Sequence, residues 1–265
     1  MESPSTTPSP TAESDSPWLV TWEAPASHIQ LRLFCFHHAG ASASTFRAWQ
    51  GQLPQSVQII AVQLPGREYR MSEPLLSDMR EIVAALMKVM PPLLDKPYAF
   101  FGHSMGALLG FELARMLRAH ALPPPVMLFV SGRTAPQFRW RDPATRLLPD
   151  DELVAAVRDY NGTPEELLSD ISLRELWLPR FRADLTASVM YDYIAQAPLN
   201  LPLVVMSGES DPLVFPEGLR GWAEHSARAV KFFSYPGDHF FLFSAEADII
   251  EQVLAELRPY LTRTR

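Results

Sequence analysis

Residues 98–117, "YAFFGHSMGALLGFELARML", place a serine between two glycines where an apolar run passes into a helical pattern. Tyr98-Ala99-Phe100-Phe101 reads as a buried strand. From Ala107 onward, Leu108, Phe111, Leu113, Ala114 and Leu117 recur at helical spacing. Between them Gly102-His103-Ser104-Met105-Gly106 fits G-x-S-x-G, and a strand feeding a helix through that pattern is the setting of a nucleophile elbow. Glycine belongs on either side because a side chain there would crowd the neighbouring strand or helix in so tight a turn. A serine that only capped the helix would need no glycine two residues before it. Ser104 therefore reads as a nucleophile, which requires a base and an acid further along the chain.

The elements around this stretch set the fold class. Strand-like runs occur at "IQLRLFCF", "SVQIIAVQL", "YAFFGH", "PVMLFVSG", "PLVVMSG" and "AVKFFSY". Helical patterns cover Met79–Met90, Ser104–Ala119, Glu217–His225 and Glu246–Tyr260. Strands alternating with helices imply a mostly parallel sheet covered on both faces by helices, with its chemistry at the carboxyl ends of the strands. The rhythm breaks between Ser131 and Leu201. Residues 136–200 show helical patterns without a convincing strand, and read as a helical lid inserted between two strands. Its apolar residues, among them Leu153, Val157, Leu167, Leu168, Leu176, Trp177, Leu178, Phe181, Leu185 and Met190, are expected to roof an acyl site, with "NGTPEEL" and "WLPRF" as breaks.

A serine hydroxyl needs a base, and position separates the histidines. His239, in "FFSYPGDHFFLF", follows the last strand-like run, where the base belongs in the chain order nucleophile, acid, histidine. His103 adjoins the nucleophile and points elsewhere, while His28, His120 and His225 sit near element ends. The acid should follow the preceding strand, and "PLVVMSGESDPLV" offers Glu209 and Asp211. Asp211 is favoured, Glu209 is the fallback, and Asp238 is the weaker choice because adjacent side chains seldom face each other. For the oxyanion, one donor is the backbone N–H of Met105 at the helix start. The second should come from "FCFHHAGASASTF", whose small residues allow close backbone approach, with Ala39 as the best position. His37 and His38 do not read as a metal site, since adjacent side chains chelate one ion poorly and no carboxylate or cysteine stands at ligand spacing.

Composition bounds the rest. A chain of 265 residues with 47% hydrophobic content can bury one sizeable core. A net charge of −7 argues against a general nucleic-acid binder. Cys35, the single cysteine, excludes an intramolecular disulfide framework and lies in an apolar run. No apolar run approaches the length of a membrane helix, and "MESPSTTPSPTAESDSP" lacks the regions of a signal peptide. The expectation is a disordered tail over 1–17, one domain over 18–265, and a cytoplasmic protein with no metal or redox cofactor.

The segments "FCFHHAGASASTFRAW", "VQLPGREYRMSEPL", "PYAFFGHSMGALLGFELAR", "SGRTAP", "NGTPEEL", "LPRFRADL", "SGESDPLV" and "GDHFFL" follow in this order. In that series the chain resembles the type II thioesterases of polyketide synthases and nonribosomal peptide synthetases. The resemblance runs from about Leu31 to the C-terminal helix. It implies an α/β-hydrolase fold, a triad of Ser104, Asp211 and His239, and oxyanion donors on the backbone of Ala39 and Met105. The implied activity is hydrolysis of acyl thioesters from the phosphopantetheine arm of carrier proteins, by a monomer and through an acyl-enzyme. The family's first loop usually reads Phe-Pro-His-Ala-Gly-Gly. Here His37 stands in place of the proline and Ala41 in place of the second glycine, and Asp238 replaces a glycine before the histidine. Two other readings stay open: release of medium-length chains from a fatty acid synthase, and a carrier-binding module without hydrolysis. Arg133, Arg139, Arg141 and Arg146, set against Asp142 alone in "GRTAPQFRWRDPATR", suggest a basic patch for an acidic carrier, with Arg139 and Arg141 its candidate contacts.

Overall fold

The computed structural model of the protein describes residues 16–22, 28–139, 142–158 and 165–261, with the side chain of Leu167 left out. Residues 1–15 of the tail expected over 1–17, most of the "NGTPEEL" break and Arg141 lie outside the described residues.

The strands are β1 (Leu19–Thr21), β2 (Leu31–Phe36), β3 (Val57–Val62), β4 (Tyr98–His103), β5 (Met127–Ser131), β6 (Leu203–Gly208) and β7 (Val230–Tyr235). They form a seven-stranded sheet in the order β1-β3-β2-β4-β5-β6-β7, parallel throughout except for β1 against β3. The central runs are apolar at nearly every position because both faces are covered. One face packs Phe34, Phe36, Phe100, Leu128 and Val205 against helices, and the other packs Leu33, Cys35, Phe101, Phe129 and Met206. Strand β1 carries no signal of its own, since three residues are too few to show alternation.

The helices are α1 (Trp49–Gln52), α2 (Met79–Val89), α3 (Met105–Ala119), α4 (Asp150–Arg158), α5 (Glu165–Ser169), α6 (Ile171–Val189), α7 (Pro216–Arg220), α8 (Phe241–Ser244) and α9 (Glu246–Leu257). Single helices expected over Glu217–His225 and Glu246–Tyr260 both finish as 3₁₀ turns, at Gly221–His225 and Arg258–Tyr260. Among the described residues no helix is long and apolar enough to cross a membrane.

The strand order creates the site. From β2 the chain passes to β3 on one side, then returns to lay β4 on the other, so the switch point falls between β2 and β4. Such a reversal leaves a crevice at the carboxyl ends of the two strands. Phe36 and Gly102 are register partners there, so the loop after β2 and the turn after β4 emerge side by side.

Helices α4, α5 and α6 form the insertion between β5 and β6. Leu153, Val154, Val157, Leu168, Trp177, Leu178, Phe181, Leu185 and Val189 make an apolar cluster of their own, against which Ala39 packs. Leu176 and Met190, expected on the inner face, are 59% and 48% exposed instead. The "WLPRF" break is also corrected: α6 runs through it with Pro179 inside the helix. Proline there removes one backbone hydrogen bond, and flanking side chains buried in the cluster hold the helix together across the gap.

Candidate active site

Ser104 lies between β4 and α3 with φ +56° and ψ −115°, a left-handed conformation rarely taken by a residue with a side chain. Two close approaches account for the flanking glycines. A Cβ on Gly102 would overlap the Gly106 carbonyl, and one on Gly106 would overlap the backbone of Phe36. The turn is pinned further by the Ser104 N–H, which donates to the Ser131 carbonyl at 2.7 Å. Strain at such a residue costs about 1–3 kcal/mol, held here by the packed strands on both sides.

Three loops at the carboxyl edge converge on this hydroxyl. His239 Nε2 stands 2.9 Å from Ser104 Oγ, and His239 Nδ1 stands 2.8 Å from Asp211 Oδ2. The other Asp211 oxygen accepts the Leu213 N–H at 2.8 Å, which fixes the carboxylate plane. A carboxylate can only accept, so the imidazole carries its proton on Nδ1 and turns the Nε2 lone pair toward the serine hydroxyl. All three groups are buried. The loops are tied to each other as well: the Glu209 N–H donates to the Tyr235 carbonyl and the Ser210 N–H to the Gly237 carbonyl, both at 2.9 Å. The alternative acids point elsewhere. Glu209 is exposed, and Asp238 caps its own turn by accepting the Phe240 N–H at 2.8 Å.

Three further histidines, His37, His38 and His103, are buried beside this chain of bonds. His103 Nδ1 meets Ser131 Oγ at 2.9 Å, and its ring lies 5.2 Å from that of His239. Burial, with the His239 and His38 rings beside it, holds its pKa well below the ordinary value. Burial pushes His37 and His38 down to about 3, with the Arg67 charge adding to the effect on His37. These rings are therefore neutral at physiological pH. His37 Nδ1 donates to the His38 carbonyl at 2.7 Å, a bond the family's usual proline cannot make.

The loop after β2 holds the proposed second oxyanion donor. The Gly40 N–H is taken by Asp184 Oδ2 at 2.8 Å and the Ala41 N–H by the His38 carbonyl at 3.2 Å. Ala41 sits outside the left-handed region, so alanine replaces glycine there without backbone strain, and its carbonyl accepts Arg67 Nη1 at 2.9 Å. Sequence reasoning assigned no role to Arg67 or Asp184. The available signal was their place in "VQLPGREYR" and "LPRFRADL", two segments of the resemblance that carried no chemistry.

The basic patch is only partly a surface. Arg133 is buried and donates to Ser188 Oγ at 2.6 Å, so it belongs to the interior and not to a docking face. Arg139 is exposed, at the edge of a cleft of about 350 Å³ shared with Phe138, Met190 and Tyr191. Arg146 is half-buried, and its carbonyl accepts Arg182.

The parallel sheet, the strained serine and the strand order are those of an α/β-hydrolase. Residues 31–258 match the thioesterase domain family, and the chain belongs to that family of thioester hydrolases. Gramicidin S biosynthesis protein GrsT of Aneurinibacillus migulanus is 40% identical over 232 residues, 88% of this chain and 91% of that one. Linear gramicidin dehydrogenase LgrE of Brevibacillus parabrevis is 37% identical over 95% of this chain and 97% of that one, so one frame carries names of different chemistry. The solved structure of the type II thioesterase BorB from the borrelidin biosynthetic cluster superposes with a TM-score of 0.85 at 32% identity, covering 93% of this chain and 100% of that one.

Proposed function

We propose that the protein is an editing, type II thioesterase that removes acyl groups from the phosphopantetheine arm of carrier proteins in polyketide or nonribosomal peptide assembly. The observation that carries this reading is the buried hydrogen-bonded chain from Ser104 through His239 to Asp211 at a strained strand-to-helix turn. In the proposed cycle Ser104 Oγ attacks the thioester carbonyl carbon while His239 Nε2 takes the hydroxyl proton. Asp211 holds the Nδ1–H tautomer and stabilises the imidazolium. The oxyanion of the tetrahedral intermediate sits between the Ala39 and Met105 N–H groups, each worth about 3 kcal/mol of barrier in comparable sites. Collapse breaks the C–S bond and His239 returns its proton to the leaving thiolate. Water, deprotonated by the same Nε2, then attacks the acyl-enzyme and releases the carboxylic acid and free Ser104.

The insertion serves as a lid over the acyl chain in this reading, and Arg139 with Arg141 steers an acidic carrier toward the site. The decisive experiment follows acid release from a short acyl-phosphopantetheinyl carrier by the purified protein, with no nicotinamide added. Free acid and free carrier thiol in equal amounts are expected. Binding of the carrier without release would leave a recognition module, and a strong preference for medium-length chains would favour the fatty acid synthase reading. Arg139→Glu should weaken turnover of the carrier substrate several-fold at low salt and leave a small acyl-thiol unaffected. Equal loss on both substrates would remove docking as its role.

A further inference from the structure

Two segments with no assigned chemistry join at one buried ion pair, which also grips the loop after β2. Arg67, in the turn after β3, and Asp184, on α6, bind each other through two bonds, Nη1 to Oδ2 at 2.7 Å and Nη2 to Oδ1 at 2.9 Å. Their side chains are 1% and 0% exposed. Both partners also hold the loop after β2. Asp184 Oδ2 accepts the Gly40 N–H, and Arg67 Nη1 donates to the Ala41 carbonyl. Gly40 has φ +78°, and a Cβ there would come within 2.9 Å of Trp177 Nε1 and 3.0 Å of Phe181 Cδ2. The glycine thus lets the loop lie directly against the stacked Trp177 and Phe181 rings of α6.

A buried pair of this kind contributes little net stability, since desolvation offsets the attraction and apolar replacements are often neutral. What the pair does supply is direction. The Gly40 N–H lies in the Ala39–Gly40 peptide plane, next to the plane that carries the Ala39 N–H, and the Ala41 carbonyl anchors the loop two peptide planes further on. Oxyanion donors work only when held close to the position of the developing charge.

We propose that Asp184, braced by Arg67, is a positioning residue for the oxyanion loop, so that the seating of α6 sets the Ala39 N–H. This rests on the triad chemistry proposed above, and it makes the insertion part of the catalytic machinery as well as a cover. With the carboxylate lost, the Gly40 N–H has no acceptor, and the Ala39 N–H, in the peptide plane whose His38 carbonyl still accepts His37 Nδ1 and the Ala41 N–H, is held from one side only.

The test compares two uncharged pairs of substitutions, so that neither leaves a charge buried alone. Asp184→Asn with Arg67→Met keeps an amide oxygen for the Gly40 N–H, whereas Asp184→Leu with Arg67→Met offers none. The readouts are kcat and KM on a small acyl-thiol, per active site titrated with a fluorophosphonate, and the rate at which that reagent phosphonylates Ser104. Phosphonylation needs the same oxyanion donors and no thioester, so it stands even if the proposed substrate is wrong. The Leu-bearing pair is expected to lose about 10²-fold in kcat and in phosphonylation rate, with KM within about 3-fold. The Asn-bearing pair should keep both rates within about 10-fold of the unaltered protein. Equal rates per titrated site in the two pairs, or a loss confined to KM, would overturn the proposal. Should the Leu-bearing pair fail to fold, Asp184→Ala with Arg67→Met takes its place with the same expectation.

Discussion

The carboxyl edge of the sheet and the insertion above it both hold groups in place, but by different means. At the edge the restraint is backbone against backbone: Gly102 against Gly106, Ser104 to Ser131, and the Ser210 N–H to Gly237. In the insertion it is side chain against side chain, an apolar cluster plus the Arg67–Asp184 pair, on a helix interrupted by Pro179. Backbone restraint leaves a local signature, such as a glycine at a fixed offset or a loop at a strand end. Side-chain restraint between segments 117 residues apart leaves none. A region of the first kind should respond to substitution as an all-or-none catalytic element, and one of the second kind by degrees.

Asp211→Asn makes the sharpest test of the edge. The Leu213 N–H and the surrounding backbone bonds survive, but the histidine loses the acceptor that fixes its tautomer, and kcat should fall by about 10³- to 10⁴-fold without loss of folding. Asp238→Asn and Glu209→Gln should each stay within about 3-fold, because neither carboxylate faces the imidazole. Comparable damage from Asp238→Asn would mean that the acid is misassigned.

The insertion should show graded behaviour along α6 itself. Residues 171–176 present Ile171, Leu173 and Leu176 to solvent, while residues 181–189 bury Phe181, Asp184, Leu185 and Val189. Amide exchange is expected to be about 10-fold or more faster before Pro179 than after it, with the later half approaching the sheet strands. Uniform protection across α6 would erase the division and make the whole helix one rigid element.

The buried histidines give a smaller effect that belongs to the edge. The folded pKa values of His37 and His38, about 3, lie below the unfolded value near 6.5, and His103 is lowered too. Below that value the unfolded chain therefore binds more protons than the folded one. Their contribution to stability is complete above about pH 6.5 and is lost as pH falls toward 3. The buried His225, lowered to about 4, behaves alike, so between pH 6 and 5 denaturant unfolding should show uptake of about three to four protons, and His37→Gln should reduce that by about one. A stability flat from pH 7.5 to 5 would place these rings in contact with water.

Much of the edge was legible in the sequence because its signals are local. The six runs of the parallel strands, the elbow glycines and the loops holding Asp211 and His239 each stand out within a dozen residues. Strand β1 escaped notice because it pairs at the sheet margin with only three residues. The insertion was legible as helical but not in its orientation. Apolar residues occur on several sides of α6, so Leu176 could not be told from Leu178, which is 4% exposed. Arg133 read as surface charge because nothing nearby in sequence announces Ser188 as its partner, 55 positions away. Asp184 and Arg67 were unreadable for the same reason.

The role of Ser104 is the claim on which the rest depends, and it can be measured on the intact protein. Rapid acid quench during turnover of an acyl-phosphopantetheine thioester, followed by intact-mass and peptide analysis, reads the covalent intermediate directly. The expected result is an adduct of the acyl mass less one proton on the peptide containing Ser104, absent from Ser104→Ala, whose turnover falls to the small residue left by binding and the oxyanion donors. An adduct on another residue, or full thioester hydrolysis by Ser104→Ala, would contradict the account.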